Sequence, residues 1–236
     1  VENNPEVMTQ LATTLGLSPD LQFYDVYSLD EPDLLAHIPR PVFALLVIIP
    51  LTPAWHRDRQ AEDAGRESYE GFGPDEPVLW FKQTIGHACG SIGLLHSVLN
   101  GPAVAFIQPG SDLEAIRNTA IPLQMTDRAE MLYNNLPFER AHRSVEHSGD
   151  THALPTTQHT GLHFLAYVTA AGRLWELEGS RQGPLERGRV AEGEDVLSPR
   201  LLQMGIKRIM RVASEGGEKD LRFSCIALAR RTRTVQ

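Results

Sequence analysis

Apolar residues return every three to four positions at Val7, Met8, Leu11 and Leu15, the spacing of a helix with one buried face. Asn4 is placed to cap that helix, Pro5 suits its first position, and Gly16 ends it. Residues 22–27 then read as a strand and Asp30 to Ile38 as a short helix. Val42–Ile49 is continuously apolar, as expected of a central strand covered on both sides. Trp55 to Pro77 is polar and charge-rich, which predicts a solvated helix end and a loop, and Val78–Lys82 is a candidate strand.

Cys89 to Leu99 is apolar almost all round, so it predicts a helix inside the core. Ser111–Ala120, Met125–Asn135 and Phe138–Val145 carry the patterns of surface helices. His163–Thr169 and Leu174–Glu178 read as strands around a turn containing Gly172. Beyond an acidic patch, a helix is expected over 200–213, then the strand Arg222–Ala229 and a basic tail. The alternation predicts one α/β domain with helices on both faces of a sheet.

Composition narrows the function classes. The 236 residues are 42% hydrophobic and 22% charged, ordinary globular usage that excludes a disordered chain or a fibre. Lys and Arg number 22 against 30 Asp and Glu, a formal charge of −8. That sign argues against a nucleic-acid binder and favours basic partners. The longest apolar run is far short of the roughly 18–20 residues of a bilayer helix, so no membrane is expected. No secretory signal is visible at the N-terminus, and two cysteines, Cys89 and Cys225, cannot build a disulfide framework or a four-cysteine metal site. The expectation is a soluble intracellular chain with reduced thiols, a cytoplasmic and also nuclear distribution being compatible with it. Neither cofactor nor metal is expected; His159 and His163 could share a metal by spacing, but no helix is expected there to support it.

The densest chemistry lies in Gln83-Thr84-Ile85-Gly86-His87-Ala88-Cys89-Gly90-Ser91-Ile92-Gly93-Leu94-Leu95-His96. A polar loop delivers a cysteine to the start of an apolar helix, where unpaired N–H groups and the macrodipole favour a thiolate and lower its pKa. Gly90 and Gly93 permit close backbone approach. Local physics leaves a nucleophile and a buried core cysteine both open for Cys89. Of nine histidines, His96 lies about 10 Å further along the helix, too far to be its base. His87 sits in the loop with its direction undetermined, and His142, His147, His152 and His159 fall in a polar connection and read as solvated.

His163 differs because it opens a strand and shares a face with Leu165 and Tyr167. If Ala171-Gly172 is a two-residue turn, Ala170 pairs with Arg173 and His163 lies opposite Ser180. Glu178 is then a diagonal neighbour on the same face, within reach of a long side chain; a turn at Ala170-Ala171 would set the two directly opposite, and only a three-residue loop would separate their faces. Cysteine, histidine and an orienting carboxylate can thus assemble as nucleophilic catalysis requires. Glu176 shares that parity but lies farther away and reads as a solvated charge. Cys225, Trp80 and Trp175 read as core.

On these residues the sequence resembles the ubiquitin C-terminal hydrolases, papain-like cysteine peptidases that deubiquitinate, closest to their short single-domain members. The 83–96 stretch looks like their nucleophile motif, and the likeness extends through Asn4-Pro5-Glu6-Val7, Asp25-Val26-Tyr27, Pro39-Arg40-Pro41, His163-Phe164 and Trp175-Glu176-Leu177-Glu178-Gly179. The resemblance implies that residues 1–236 form one catalytic domain with a central, mainly antiparallel sheet. It makes Cys89 the nucleophile, His163 the general base, Glu178 the residue that orients His163, and Gln83, with the Cys89 N–H, the oxyanion hole. Two positions depart from the family pattern: Glu178 stands where Asp is usual, and His87 where Asn is common.

The resemblance further implies a crossover loop over the cleft at about residues 141–159, a long connection of the kind that is usually functional. In relatives it restricts the leaving group to small adducts and short peptide extensions. The implied reaction is hydrolysis after the C-terminal glycine of ubiquitin through a Cys89 thioester, with ubiquitin as partner, NEDD8-like modifiers left open, and a monomeric enzyme. Asp30, Glu31 and Asp33, or Glu192, Glu194 and Asp195, are acidic candidates for contact with ubiquitin's basic tail. The alternative is a non-catalytic ubiquitin-binding protein that stabilises free ubiquitin.

Overall fold

The computed structural model describes residues 3–86, 88–145, 162–217 and 223–232. Helix α1 (Pro5–Leu15) forms as its pattern predicts: the Asn4 side chain accepts from the Glu6 and Val7 N–H groups, and Gly16 closes the far end at φ 108°. Strands β1 (Leu21–Asp25), β2 (Ala44–Pro50), β3 (Leu162–Ala170), β4 (Arg173–Leu177), β5 (Leu185–Arg189) and β6 (Ser224–Arg230) make one sheet in the order β1-β6-β2-β3-β4-β5. Every pairing among the described residues is antiparallel.

Helices cover both faces, and the split follows the alternation of side chains along β2. Ala44 and Leu46 join a layer with α1 and with α4 (Cys89–Val98). Leu45, Val47 and Ile49 join the opposite layer. That second layer holds Trp55 of α3 (Pro53–Asp63), Leu201 and Leu202 of α8 (Pro199–Met204), and Ile206 and Ile209 of α9 (Ile206–Glu215). No helix among the described residues is long and apolar enough to cross a membrane.

Several elements differ from the sequence pattern. In Val78–Lys82 the first four residues are buried and Lys82 is half-buried, but the stretch is not a strand. Its backbone groups are paired by side chains instead of a ladder. The Asn100 amide bonds both the Leu79 N–H, at 2.7 Å, and the Leu79 carbonyl, at 2.9 Å. Phe81 N–H donates to His96 Nε2 at 3.0 Å, and the Trp80 carbonyl accepts from Arg128 at 3.0 Å. A buried peptide must find partners, and here three side chains from distant parts of the chain supply them.

The helix expected over Asp30–Ile38 shrinks to α2 (Pro32–Leu35), and the one expected over 200–213 breaks at Gly205, whose ψ is −115°. Strand β5, Leu-Glu-Arg-Gly-Arg, has no apolar alternation to reveal it. The helices α5 (Asp112–Ala120), α6 (Met125–Tyr133) and α7 (Leu136–Val145) fall close to their predicted places.

Candidate active site

Cys89 is the first residue of α4, and the preceding Ala88 provides no side-chain cap. The N–H groups of the first turn therefore remain for other partners. The Cys89 sulfur lies against the backbone N–H groups of Gly90, Phe164 and Cys89 itself. Close packing of α4 on the sheet makes this contact possible. A Cβ on Gly90 would meet the Phe164 ring at 3.2 Å, and one on Gly93 would meet Leu46 Cδ1 at 2.7 Å. The helix start alone predicts a lowered thiol pKa. Burial reverses this: it pushes the Cys89 thiol above its ordinary value and outweighs the three N–H groups.

The β3–β4 hairpin has the two-residue turn and register that the sequence suggests, with Ala170 opposite Arg173 and Tyr167 opposite Glu176. Pairing ends at Ala166–Leu177, so the next residue of β4's chain is released from the ladder. Glu178 then reaches diagonally, and its Oε1 meets His163 Nε2 at 2.5 Å. The extra methylene of a glutamate is taken up by that diagonal.

Oε1 also accepts from the Ser180 N–H at 2.7 Å and the Ser180 hydroxyl at 2.6 Å. Oε2 faces Arg59 Nε at 3.7 Å and Arg181 Nε at 4.0 Å. Burial alone would raise the Glu178 pKa, but the His163 hydrogen bond, the charges of His163 and Arg59, and Ser180 together hold it down at about 2. The carboxylate is ionised.

The two catalytic candidates come from opposite faces of the sheet. Phe164, beside Cys89, belongs to the α1/α4 layer, whereas the alternate residues Leu165 and Tyr167 face the α8/α9 layer. His163 stands at the end of that second face, its ring centroid 6.3 Å from Trp55. Among the described residues no hydrogen bond joins the Cys89 and His163 side chains; the sulfur meets the N–H of Phe164, the residue after His163. Because Nε2 is engaged by Glu178, Nδ1 is the nitrogen left for the thiol.

Gln83 is half-buried at the end of the stitched segment. Its N–H donates to the Gly179 carbonyl at 2.8 Å, and a Cβ on Gly179 would meet Gln83 Cβ at 3.0 Å. Glycine after Glu178 thus lets the Gln83 segment and the carboxylate segment lie against each other.

Other expectations need correction. Glu176 is not solvated: it is buried and accepts from the Tyr167 hydroxyl and Arg187 Nε, at 2.9 and 2.8 Å. Its even spacing from Glu178 places it in the same charged layer. His142 is not a bystander either, since its Nδ1 pairs with Ser91 Oγ at 2.7 Å. Asp195 is buried, bonding Arg40 Nε at 2.5 Å and the Val42 N–H at 2.9 Å, so it is unavailable to a partner.

Asp30 is paired with Lys207 and Glu194 with Arg200. Cys225 is core as expected, its thiol pushed up to about 12 by burial. His87, His147, His152 and His159 lie outside the described residues, as does the crossover region beyond Val145; residues 141–145 are the last turn of α7. No cluster of three or more metal-ligating side chains occurs among the described residues.

Sequence reasoning missed Ser180, Arg59 and Arg181. A serine two residues after a carboxylate is a recurrent side-chain–backbone pairing and was the available signal for the first. The arginines sit in polar stretches that carry no pattern.

With this geometry in view, the comparisons are specific. The family model described as ubiquitin carboxyl-terminal hydrolase, family 1, matches residues 1–211. Ubiquitin carboxyl-terminal hydrolase 3 of Arabidopsis thaliana is 34% identical over 233 residues, covering 98% of this chain and 94% of the relative. Ubiquitin carboxyl-terminal hydrolase YUH1 of Saccharomyces cerevisiae is 31% identical over 236 residues, covering 97% and 94%. The fold is similar to that of the Trichinella spiralis UCH37 catalytic domain crystallised with ubiquitin vinyl methyl ester, with a TM-score of 0.72 at 23% identity, covering 98% of this chain and 94% of that one. The chain belongs to the ubiquitin carboxyl-terminal hydrolases of family 1 and is a cysteine-type deubiquitinating enzyme.

Proposed function

We propose that this enzyme cleaves the bond after the C-terminal glycine of ubiquitin, releasing small adducts or short peptide extensions, through a thioester on Cys89. The observation that carries the reading is the His163–Glu178 contact of 2.5 Å at the strand end beside the α4 nucleophile position. A thiol held above its ordinary pKa stays protonated at rest. His163 Nδ1 therefore acts as a general base, taking the proton as sulfur attacks the glycine carbonyl, while Glu178 orients and stabilises the resulting imidazolium.

The Gln83 side-chain amide and the Cys89 N–H donate to the oxyanion, each such donor being worth about 2.7–4 kcal/mol in the transition state. Collapse of the tetrahedral intermediate breaks the C–N bond, and His163 returns its proton to the leaving amine. His163 then removes a proton from water, which attacks the thioester and releases the ubiquitin carboxylate and the thiol.

The segment at about 141–159 sets the size of the leaving group in this reading. Ubiquitin's basic tail suits the −8 charge. NEDD8-like modifiers are further candidate substrates, and the working form is a monomer in the cytoplasm and nucleus.

The test uses a fluorogenic amide of ubiquitin. Wild-type enzyme turns it over, and Cys89→Ala abolishes turnover while leaving the fold intact by circular dichroism. Acid-quenched wild-type enzyme carries ubiquitin on Cys89 as a hydroxylamine-labile adduct. Turnover that survives Cys89→Ala, or an adduct on another residue, would overturn the assignment.

A further inference from the structure

We infer that Ser180 is a positioning residue that allows a glutamate to serve as the orienting carboxylate. The inference rests on the reading of Glu178 as the partner of His163. The two oxygens of Glu178 are treated very differently. Oε1 collects three donors: His163 Nε2 at 2.5 Å, the Ser180 N–H at 2.7 Å and the Ser180 hydroxyl at 2.6 Å. Oε2 is buried and has no hydrogen bond.

Two guanidinium nitrogens nevertheless stand near Oε2, Arg59 Nε at 3.7 Å and Arg181 Nε at 4.0 Å. Arg181 Nε is itself buried without a partner, while its terminal nitrogens bond Asp63 and Glu62. A competing arrangement is therefore close at hand. Glu178 need shift only about an ångström to form an ion pair with hydrogen bonding to Arg181, an interaction that competes directly with the bonds Oε1 now makes. That shift would withdraw Oε1 from the imidazole.

Glutamate has one more rotatable bond than aspartate and so more freedom to make the shift. Ser180 closes a short ring onto Oε1 from both its backbone and its hydroxyl, which fixes the carboxylate on the His163 side. Its carbonyl also accepts from the Arg59 guanidinium, and Arg59 lies over the Trp55 ring at 5.2 Å. Ser180 thereby anchors the carboxylate and occupies one of the two competing cations.

The experiment measures kcat and KM with the fluorogenic ubiquitin amide, normalised to the folded fraction from circular dichroism. Ser180→Ala keeps the N–H and removes the hydroxyl. It lowers kcat by about tenfold, the scale of one hydrogen bond to a charged group, with KM unchanged. Ser180→Thr, which restores the hydroxyl, recovers most of that loss. In a Glu178→Gln background, Ser180→Ala adds less than about a twofold loss, because the carboxylate it positions is gone.

Wild-type kcat in Ser180→Ala, or an equal loss in the Glu178→Gln background, overturns the inference. An impaired Glu178→Gln with an unimpaired Ser180→Ala sinks the role of Ser180 and leaves that of Glu178 standing. A fully active Glu178→Gln sinks both.

Discussion

On the imidazole side of the site, Glu178 is ringed by His163, Ser180, Arg59 and Arg181 and is held ionised at about 2. Behind it, Glu62, Asp63 and Glu176 pair with Arg181 and Arg187, and Arg208 bonds Asp58 and Glu62, so charges from α3, β4, β5 and α9 form one lattice. On the sulfur side the neighbours are backbone N–H groups and apolar side chains, and the thiol is pushed towards its neutral form. Gln83 is reached through neutral stitches from Asn100 and His96 and one buried arginine. One half is fixed by charge and the other by packing. Buried ion pairs add little net stability but penalise any other arrangement, whereas a desolvated thiol is stable yet unreactive until a base removes its proton. The geometry of the proposed base is thus built in before substrate arrives, and in the proposed mechanism the proton transfer is left to catalysis.

The comparison can be broken most severely at the base. His163→Ala is expected to lower kcat about 10²–10⁴-fold per folded molecule, measured with the fluorogenic amide and circular dichroism, and also to lower stability because Glu178 loses a donor. A loss below tenfold would mean that the imidazole is not the base.

On the other half, Arg128→Met leaves Glu76 buried without its partner, the pair being bidentate at 2.8 and 3.0 Å. Unfolding free energy should fall by about 3–5 kcal/mol, and the double change with Glu76→Gln should recover part of it. No loss in the single variant would remove Arg128 as the anchor of the Trp80 carbonyl.

Glu178→Gln probes the charged half more gently, through acid stability. The folded pKa lies near 2 against an ordinary 4.5. Its stabilising contribution is therefore fully present above pH 4.5 and is lost as pH falls towards 2. The variant should show a shallower loss of stability across that window than the wild type, by calorimetry or circular dichroism. Identical curves would argue against a buried ionised carboxylate.

The smallest effect concerns the free thiol. Alkylation of Cys89 by iodoacetamide should still be accelerating above pH 9.0, the ordinary thiol value, while Cys225 stays unmodified. A rate already at its plateau near neutrality would show a thiolate at rest and erase the contrast between the halves.

Much of this was written locally. The Asn4 cap, the Gly16 stop and the hairpin register depend on residues a few positions apart, and short-range sterics and hydrogen bonds decide them. The register then carried Glu178 to His163 by arithmetic. Glu176 was misjudged because parity along a strand says which face a residue takes but not what covers that face; here it is Arg187 and Arg181. Val78–Lys82 was misread for a related reason. Its apolar run announces burial, yet no strand lies alongside, and the partners are side chains 15 to 48 positions away.

The sequence by itself determined the candidate residues for the chemistry, the caps of α1 and the reach between His163 and Glu178, since covalent spacing and periodicity are properties of the chain. Only the tertiary structure decided the electrostatic state of those residues. A helix start favours a thiolate, but the depth to which α4 is pressed on β3 governs Cys89, and the arginines gathered around Glu178 govern its charge. Solvation and long-range charge depend on what is packed around a group, which residue order alone does not contain.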